Sequence, residues 1–180
     1  IYAFQPIIDK FIMMDFDDVC SKPINIVVLK QGLLLVKDCV TFNYKNYYDF
    51  WALSIDSYQY SAWHFNKPYR YLKLLRFYLL KKISETKENF IECESAFNGF
   101  GIYKLKSFKN CKYKSLMDKQ YYSKKKLDYI IKTFNLNIDK KIKPYDCEHR
   151  IFHLKAKKLN KSKVVIFKQH LFPGYVGPHT

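Results

Sequence analysis

Arginine is scarce in this chain of 180 residues, although the formal net charge is +16. Only three of the 32 basic residues are arginine, namely Arg70, Arg76 and Arg150, and the chain also has only five alanines. Proteins that read nucleic-acid sequence depend on arginine for bidentate contacts. The charge therefore indicates solvated lysine surfaces and the amino-acid bias of an AT-rich genome, and we expect no nucleic-acid partner.

Zinc-site and disulfide patterns are also absent. The five cysteines are odd in number, widely spaced and without a C-x-x-C pair, so neither a zinc cluster nor a disulfide framework is indicated. No apolar run has the length of a transmembrane helix. These absences favour a reduced, cytoplasmic protein. The 48% of apolar residues suffices for the core of a single domain over residues 1–180.

The stretch Lys10–Ser21 combines a hydrophobic run with a cluster of acids. The letters FIMM lead directly into Asp15, Asp17 and Asp18. A buried strand that ends in acids is typical of an α/β sheet, in which ligands bind at the carboxyl ends of strands. Asp15 and Asp17 would lie about 7 Å apart on one side of the strand, close enough to share a divalent cation. An Asp-rich turn without a ligand is the alternative interpretation.

Hydrophobic periodicity along the rest of the chain predicts an α/β fold. The expected helices are Ile24–Val36, Tyr69–Ile83 and Leu127–Phe134, and the expected further strands are Cys39–Phe42, Gly101–Leu105 and Val164–Phe167. Gly32 and several β-branched residues weaken the first of these helices. Lys104–Lys126 has no clear period and predicts loops, and Lys155–Lys163 predicts a charged loop.

Three further stretches combine aromatic, small and acidic residues. They are YYDFWALS at 47–54, ECESAFNGFGIYK at 92–104 and DCEHRIFH at 146–153. Taken singly, each has an ordinary structural interpretation: aromatic core packing, a glycine turn before a strand, or a polar helix surface. On a helix, His149 and His153 would share one face at i and i+4, a spacing that resembles a metal site without the H-E-x-x-H order.

Taken together and in order, DFDD, YYDFWAL, SAFNGFGIYK and CEHRIF resemble a family of GT-A glycosyltransferases found in bacteria, lower eukaryotes and large DNA viruses. The pattern of that family is D-x-D, Y-Y-D-x-W-A-L-R, S-A-F-G-G-x-x-I-Y and C-E-H-x-x-F, and the resemblance covers about residues 10–155. It implies a GT-A type, Rossmann-like mixed sheet flanked by helices. Because Ile1 is not an initiator methionine, we expect a C-terminal fragment whose N-terminal nucleotide-binding portion lies upstream.

The resemblance also implies an activity: metal-dependent transfer of a hexose from a UDP- or GDP-sugar to a hydroxyl of a glycan or protein glycan. It implies that Mn²⁺ or Mg²⁺ is held by three acids and a C-terminal histidine, Asp15, Asp17, Asp18 and His170, with His153 a weaker candidate. Glu148 would be the general base. The residues implied to contact donor or acceptor are Asp49, Trp51, Ser95, Ala96, Asn98, Gly99 and His149.

Two positions depart from the pattern of the family. Ser54 stands where the family has arginine, which removes a cation that could pair with Asp49 or with a phosphate. Asn98 replaces the first glycine of a pair and adds a side chain at a tight turn. Both changes bear on the choice of donor or acceptor and on activity more than on the fold.

Two other functions fit parts of the sequence. A HAD-type phosphatase would use Asp15 as nucleophile and Asp17 as acid and base, but the G-D-x-x-x-D pattern expected downstream is absent. A basic nucleic-acid-binding module would cluster lysines and aromatics on one surface and leave the acid-tipped strand unexplained. The glycosyltransferase interpretation predicts that Asp15 and Asp17 face Glu148 and the Ser95–Gly99 loop across one cleft.

Overall fold

The computed structural model of the chain describes residues 9–16, 20–138 and 145–173, and these residues form an α/β fold with a five-stranded mixed sheet. The strands are β1 (Lys10–Met14), β2 (Cys39–Asn43), β3 (Phe90–Cys93), β4 (Phe100–Lys104) and β5 (Val164–His170). The helices are α1 (Ile26–Leu34), α2 (Pro68–Glu85), α3 (Lys124–Phe134) and α4 (Glu148–Asn160). None of these helices has the length and apolarity needed to cross a membrane.

The strands lie in the order β1-β4-β2-β5-β3. β4 is antiparallel to β1 and β2, β2 is parallel to β5, and β3 is antiparallel to β5. The strands β1, β2 and β5 therefore run in one direction and end at one edge of the sheet, where β4 begins. Ligands of open α/β sheets bind at such an edge.

Different helices cover the two faces of the sheet. On one face, Phe42, Ile102 and Val165 belong to a core cluster that includes Val28 of α1. Alternate residues point to the other face, where Cys39, Tyr103 and Val164 pack with Phe152 and Ala156 of α4. A third cluster joins the α2 and α3 helices to the β3 end of the sheet through the residues Tyr71, Leu75, Leu79, Ile130, Ile91 and Ile166.

The predicted helices and strands are present with shifted ends, including the helix that contains Gly32. Three features differ from the expectations from the sequence. The strand β1 is not buried, because it lies at the edge of the sheet, and Ile12 and Met14 are 51% and 37% exposed. Lys155–Lys163 is not a loop, because Leu154 and Ala156 are buried and α4 continues through Asn160. The strand β3 was not predicted, since only Ile91 of its four residues is fully buried and no alternation is visible.

Gly32 allows a close approach between α1 and β2. A Cβ atom at this position would lie 2.6 Å from Phe42 Cζ, well inside van der Waals contact. The Phe42 ring is itself held in edge-on contact with Phe100 and Phe167. The glycine that weakened the helix prediction is therefore a packing requirement of the sheet surface.

We expect Gly32→Ala to lower the free energy of unfolding by about 1–2 kcal/mol, because overpacking a filled core outweighs the better helix propensity of alanine. Urea unfolding monitored by circular dichroism measures this change. Gln31→Ala is the control, since Gln31 is the exposed neighbour on the same helix. Equal or higher stability of Gly32→Ala would contradict the packing assigned here.

Candidate active site

The carboxyl end of β1 lies beside the glycine turn that precedes β4. The Asp15 amide donates a hydrogen bond to the Gly99 carbonyl at 2.9 Å, which extends the pairing of the two strands. Alternation along the strand relates Asp15 to Met13, which packs on the α4 face of the sheet. The other predicted metal ligands of this stretch, Asp17 and Asp18, lie outside the described residues.

Asn98 and Gly99 are the two central residues of this turn. Their φ angles are 56° and 82°, and the Phe100 amide donates to the Phe97 carbonyl at 3.3 Å. Left-handed backbone at two successive positions favours Asn-Gly, because glycine has no Cβ atom and asparagine tolerates this region. Asparagine in place of the family's first glycine is therefore compatible with the turn.

The Asn98 side chain is buried and ties the turn to the loop at 47–52. Its Oδ1 accepts from the amides of Tyr48 and Asp49 at 3.4 and 3.3 Å, and its Nδ2 donates to the Phe42 carbonyl at 3.0 Å. Both the oxygen and the nitrogen of the side-chain amide are therefore bonded to the protein backbone. The added side chain at this position thus holds two segments together.

Asp49, on the loop at 47–52, also binds the Asn98–Gly99 turn. Its Oδ1 accepts from the Ala52 amide at 3.0 Å, and its Oδ2 accepts from the Asn98 amide at 3.1 Å. Burial raises the pKa of this carboxyl, while the two amides and the charge of Arg150 act in the opposite direction. Asp49 therefore positions the loop, and a direct contact with a sugar stays a prediction.

A buried ion pair between Asp146 and Arg150 anchors the next part of the loop. Both side chains are inaccessible to solvent, and Arg150 Nε lies 3.1 Å from an Asp146 oxygen. Arg150 Nη1 donates to the carbonyls of Leu53 and Gln59 at 2.7 Å, and Nη2 donates to the Trp51 carbonyl. The backbone of Trp51 is thereby fixed while its ring remains exposed.

His149 lies between two aromatic rings at the beginning of α4. Its ring stacks on Phe97 with 3.5 Å between centroids, and its Nε2 is hydrogen-bonded to the Tyr113 hydroxyl at 2.7 Å. No described residue is a hydrogen-bond partner for its Nδ1. Burial lowers the pKa of His149 to about 3, so the imidazole is neutral at physiological pH and orients the tyrosine as an uncharged partner.

Tyr113 brings the acids of separate motifs into one environment. Burial raises the pKa of its hydroxyl, and Cys147, Glu148, Asp15 and Asp49 add to the effect. Glu148 begins α4 and is partly exposed. The structure therefore places His149 in contact with Tyr113, and the charges of Asp15 and Glu148 influence the same hydroxyl.

The remaining residues of the SAFNG stretch face the interior. Ala96 is buried, and the Ser95 hydroxyl is hydrogen-bonded to His153 Nδ1 at 2.9 Å. His153 Nε2 contacts the Tyr103 hydroxyl at 3.1 Å, and burial lowers the pKa of this histidine. The side chains of Ser95 and His153 are thus hydrogen-bonded inside the core, and a contact of Ser95 or Ala96 with a ligand stays a prediction.

His170 lies at the same edge as Asp15 but on another strand. It ends β5 opposite Asn43, and the strands β2 and β4 separate β5 from β1. In the part of the chain that the structure describes, no three Asp, Glu, His or Cys side chains are grouped to hold a metal ion. Asp15 is a hard oxygen ligand of the kind that Mn²⁺ and Mg²⁺ bind, and the complete ligand set stays a prediction.

Three functional or positioning residues were missed by sequence reasoning: Asp146, Arg150 and Tyr113. The first two carry a readable signal, since an acid and an arginine at i and i+4 at a helix start favour an ion pair. Tyr113 carries none, because it lies in a lysine-rich stretch without periodicity and is placed by its contact with His149.

Comparison of the chain with protein-family models, with curated proteins and with solved structures gives no match. The resemblance to a glycosyltransferase family therefore stays a prediction from the four sequence motifs.

We expect Arg150→Met to lower the free energy of unfolding by about 3 kcal/mol or more, because it leaves the buried Asp146 carboxylate without its cation and three carbonyls without the guanidinium donor. Urea unfolding measures the loss, and adding Asp146→Asn should restore part of it. Arg70→Met, at an exposed position, is the control and should change stability by less than about 0.5 kcal/mol. Similar values for Arg150→Met and Arg70→Met would contradict the anchoring role.

The low pKa of His149 predicts a pH dependence of stability. Below pH 6.5 the unfolded chain binds a proton at this residue that the folded chain excludes. The free energy of unfolding therefore decreases by about 1.4 kcal/mol for each unit by which the pH is lowered. His149→Phe should show a shallower fall between pH 6.5 and 5 in urea unfolding series. Tyr113→Phe retains the buried imidazole and should keep the wild-type slope. Equal slopes for wild type and His149→Phe would exclude this titration.

Proposed function

We propose that the chain is a metal-dependent glycosyltransferase of GT-A type that transfers a hexose from a nucleotide sugar to a hydroxyl acceptor. What supports the proposal is that Asp15 and Asp49, from separate motifs, are both hydrogen-bonded to the Asn98–Gly99 turn. Burial raises the pKa of the Tyr113 hydroxyl, and the charges of Asp15, Asp49 and Glu148 add to this shift. Asp15 and the turn lie at the sheet edge where parallel strands end, which is where α/β enzymes bind ligands. In this proposal the motifs that resemble the family form one site.

In this proposal Asp15, Asp17 and Asp18 hold Mn²⁺ or Mg²⁺. A bound ion of this kind supplies Lewis-acid chemistry, which offsets negative charge on a departing nucleoside diphosphate. Asp15 is suited to the role because its backbone is held by the hydrogen bond to Gly99, beside the Asn98–Gly99 turn.

Glu148 is the proposed general base. It is partly exposed at the first position of α4, beside the stacked His149 and Phe97. In an inverting transfer, its carboxylate would accept the proton of the acceptor hydroxyl while that oxygen bonds to the anomeric carbon and the bond to the diphosphate breaks. His149 and Tyr113 act by positioning, because burial keeps the imidazole uncharged.

The proposed donor is a UDP- or GDP-sugar, and the acceptor is a glycan or protein glycan. The proposal includes a cytoplasmic location, which rests on the cysteine pattern of the sequence. It includes no nucleic-acid partner, which rests on the scarcity of arginine.

The test is release of nucleoside diphosphate from a panel of UDP- and GDP-sugars by the full chain, with and without Mn²⁺. We expect one donor to respond only with metal, and Asp15→Asn and Asp17→Asn to lose this response because carboxylates are required for the ion. Glu148→Gln should lower turnover on the order of 100- to 10,000-fold and leave donor binding unchanged. Glu88→Gln is the control at an exposed acid.

Two results would contradict the proposal. If no donor bound and the chain released phosphate from small phosphoesters with Mg²⁺, a phosphatase that uses Asp15 and Asp17 would replace it. If Glu148→Gln and Glu88→Gln retained equal turnover on a responding donor, the role of Glu148 as base would be wrong.

A further inference from the structure

An aromatic cleft lies next to the candidate active site. It has a volume of about 500 Å³ and is formed where the loop at 46–51 meets the beginning of α2. Both tryptophans of the chain, Trp51 and Trp63, line it together with Tyr69. We name this surface the aromatic cleft and define it by these three rings with Lys73 and Arg76 of α2.

The three rings are exposed to an unusual degree. Trp51 is 55% exposed, Trp63 52% and Tyr69 77%. Large aromatic side chains that line a concave surface and remain in contact with water are typical of binding sites. A sugar ring is a suitable occupant, because its axial C–H groups pack on an aromatic face while its hydroxyl groups stay hydrated.

The rings are carried by a backbone that is held in place. Arg150 Nη2 binds the Trp51 carbonyl, and the Ser61 hydroxyl accepts from the Trp63 amide at 3.4 Å. Tyr69 contacts Trp63 edge-on, with 6.4 Å between ring centroids. A preorganised surface loses less conformational entropy when a ligand binds.

The charge of the aromatic cleft has one sign. Lys73 and Arg76 are exposed and lie at i and i+3 on one face of α2. None of the described residues that line the cleft is acidic. The Arg76 guanidinium lies 6.0 Å from the Phe50 ring centroid, which keeps it at the cleft wall. This charge is complementary to an anionic group on the ligand.

The aromatic cleft and the candidate active site share the loop at 47–52. Trp51 belongs to the cleft, whereas Asp49 of the same loop is bonded to the Asn98 turn. The next residue, Ala52, packs against Phe97 in the core. The loop that carries Trp51 is therefore the same loop that is bonded to the turn beside Asp15.

We propose that the aromatic cleft is the acceptor subsite and that it takes an acidic oligosaccharide, with sugar rings on Trp51 and Trp63 and a carboxylate at Lys73 and Arg76. This inference rests on the proposed function, since it assigns the acceptor of that reaction. It names a substrate class that the sequence motifs leave open.

Tryptophan fluorescence tests the inference directly, because both tryptophans line the cleft. The probe is a tetrasaccharide that contains uronic acids, added to the full chain at 150 mM salt to screen long-range attraction. We expect saturable quenching or a blue shift, with binding about tenfold weaker for a neutral tetrasaccharide and for Arg76→Gln. Trp63→Ala should abolish most of the response.

Arg70→Gln is the matched control, because Arg70 is exposed on the same helix and does not line the cleft. It should bind like the wild type. Equal weakening by Arg70→Gln and Arg76→Gln, an equal response to single-stranded DNA, or no response to the acidic tetrasaccharide would each overturn the inference. An emission maximum that shifted with protein concentration alone would indicate self-association and would also overturn the inference.

This assay needs neither donor nor metal, so its failure is separable from that of the proposed function. If the chain transferred sugar only to neutral acceptors, the proposed transferase activity would be retained and the proposed acidic acceptor would be wrong. If the acidic tetrasaccharide bound in the cleft and no nucleotide sugar was turned over, the saccharide site would be retained and the proposed transferase activity would be wrong.

Discussion

The buried ion pair of Asp146 and Arg150 is the interaction on which the arrangement of the site depends. Two charges without access to water are tolerated only when every donor and acceptor is satisfied. Arg150 meets this condition through three carbonyls of the loop at 51–59, and Asp146 through the Tyr122 hydroxyl at 2.6 Å and the Cys147 amide at 2.7 Å. The pair therefore joins the beginning of α4 to the loop that carries Trp51.

A second buried acid, Glu94, explains how Ser54 is accommodated. Ser54 is buried, and its hydroxyl donates to Glu94 Oε2 at 3.4 Å. Serine supplies no cation at this position, where the family has arginine. Lys126 of α3 lies 2.9 Å from Glu94 and Lys157 of α4 also binds it. Two lysines from different helices thus neutralise the carboxylate, and they lower its pKa although burial alone would raise it. The departure from the family pattern is compatible with a stable fold.

The fold could be predicted from sequence wherever burial follows a regular period. The helix α2 presents such a period, whereas β2 and most of β5 are continuous buried runs; all three were located with small errors at their ends. The strand β3 has one fully buried residue, and the loop at 51–59 has no period because its shape comes from long-range bonds to Arg150. Long-range contacts of single side chains leave no repeat in the sequence, and Tyr113 escaped prediction for this reason.

The candidate site shows why motifs alone predict chemistry poorly. Asp49, Asn98, Ser95 and His153 belong to the motifs, yet their polar atoms bond to the protein frame. Glu148 and Asp15 come from the same motifs; Asp15 follows β1 and Glu148 begins α4, and the charges of both influence the hydroxyl of Tyr113. A buried polar group must be paired to be tolerated, so selection for the fold keeps the first set of residues whatever the reaction. The sequence does not distinguish the motif residues that bind the protein backbone from those that remain accessible. Burial and hydrogen-bond partners make this distinction, and the proposed reaction depends on Asp15 and Glu148.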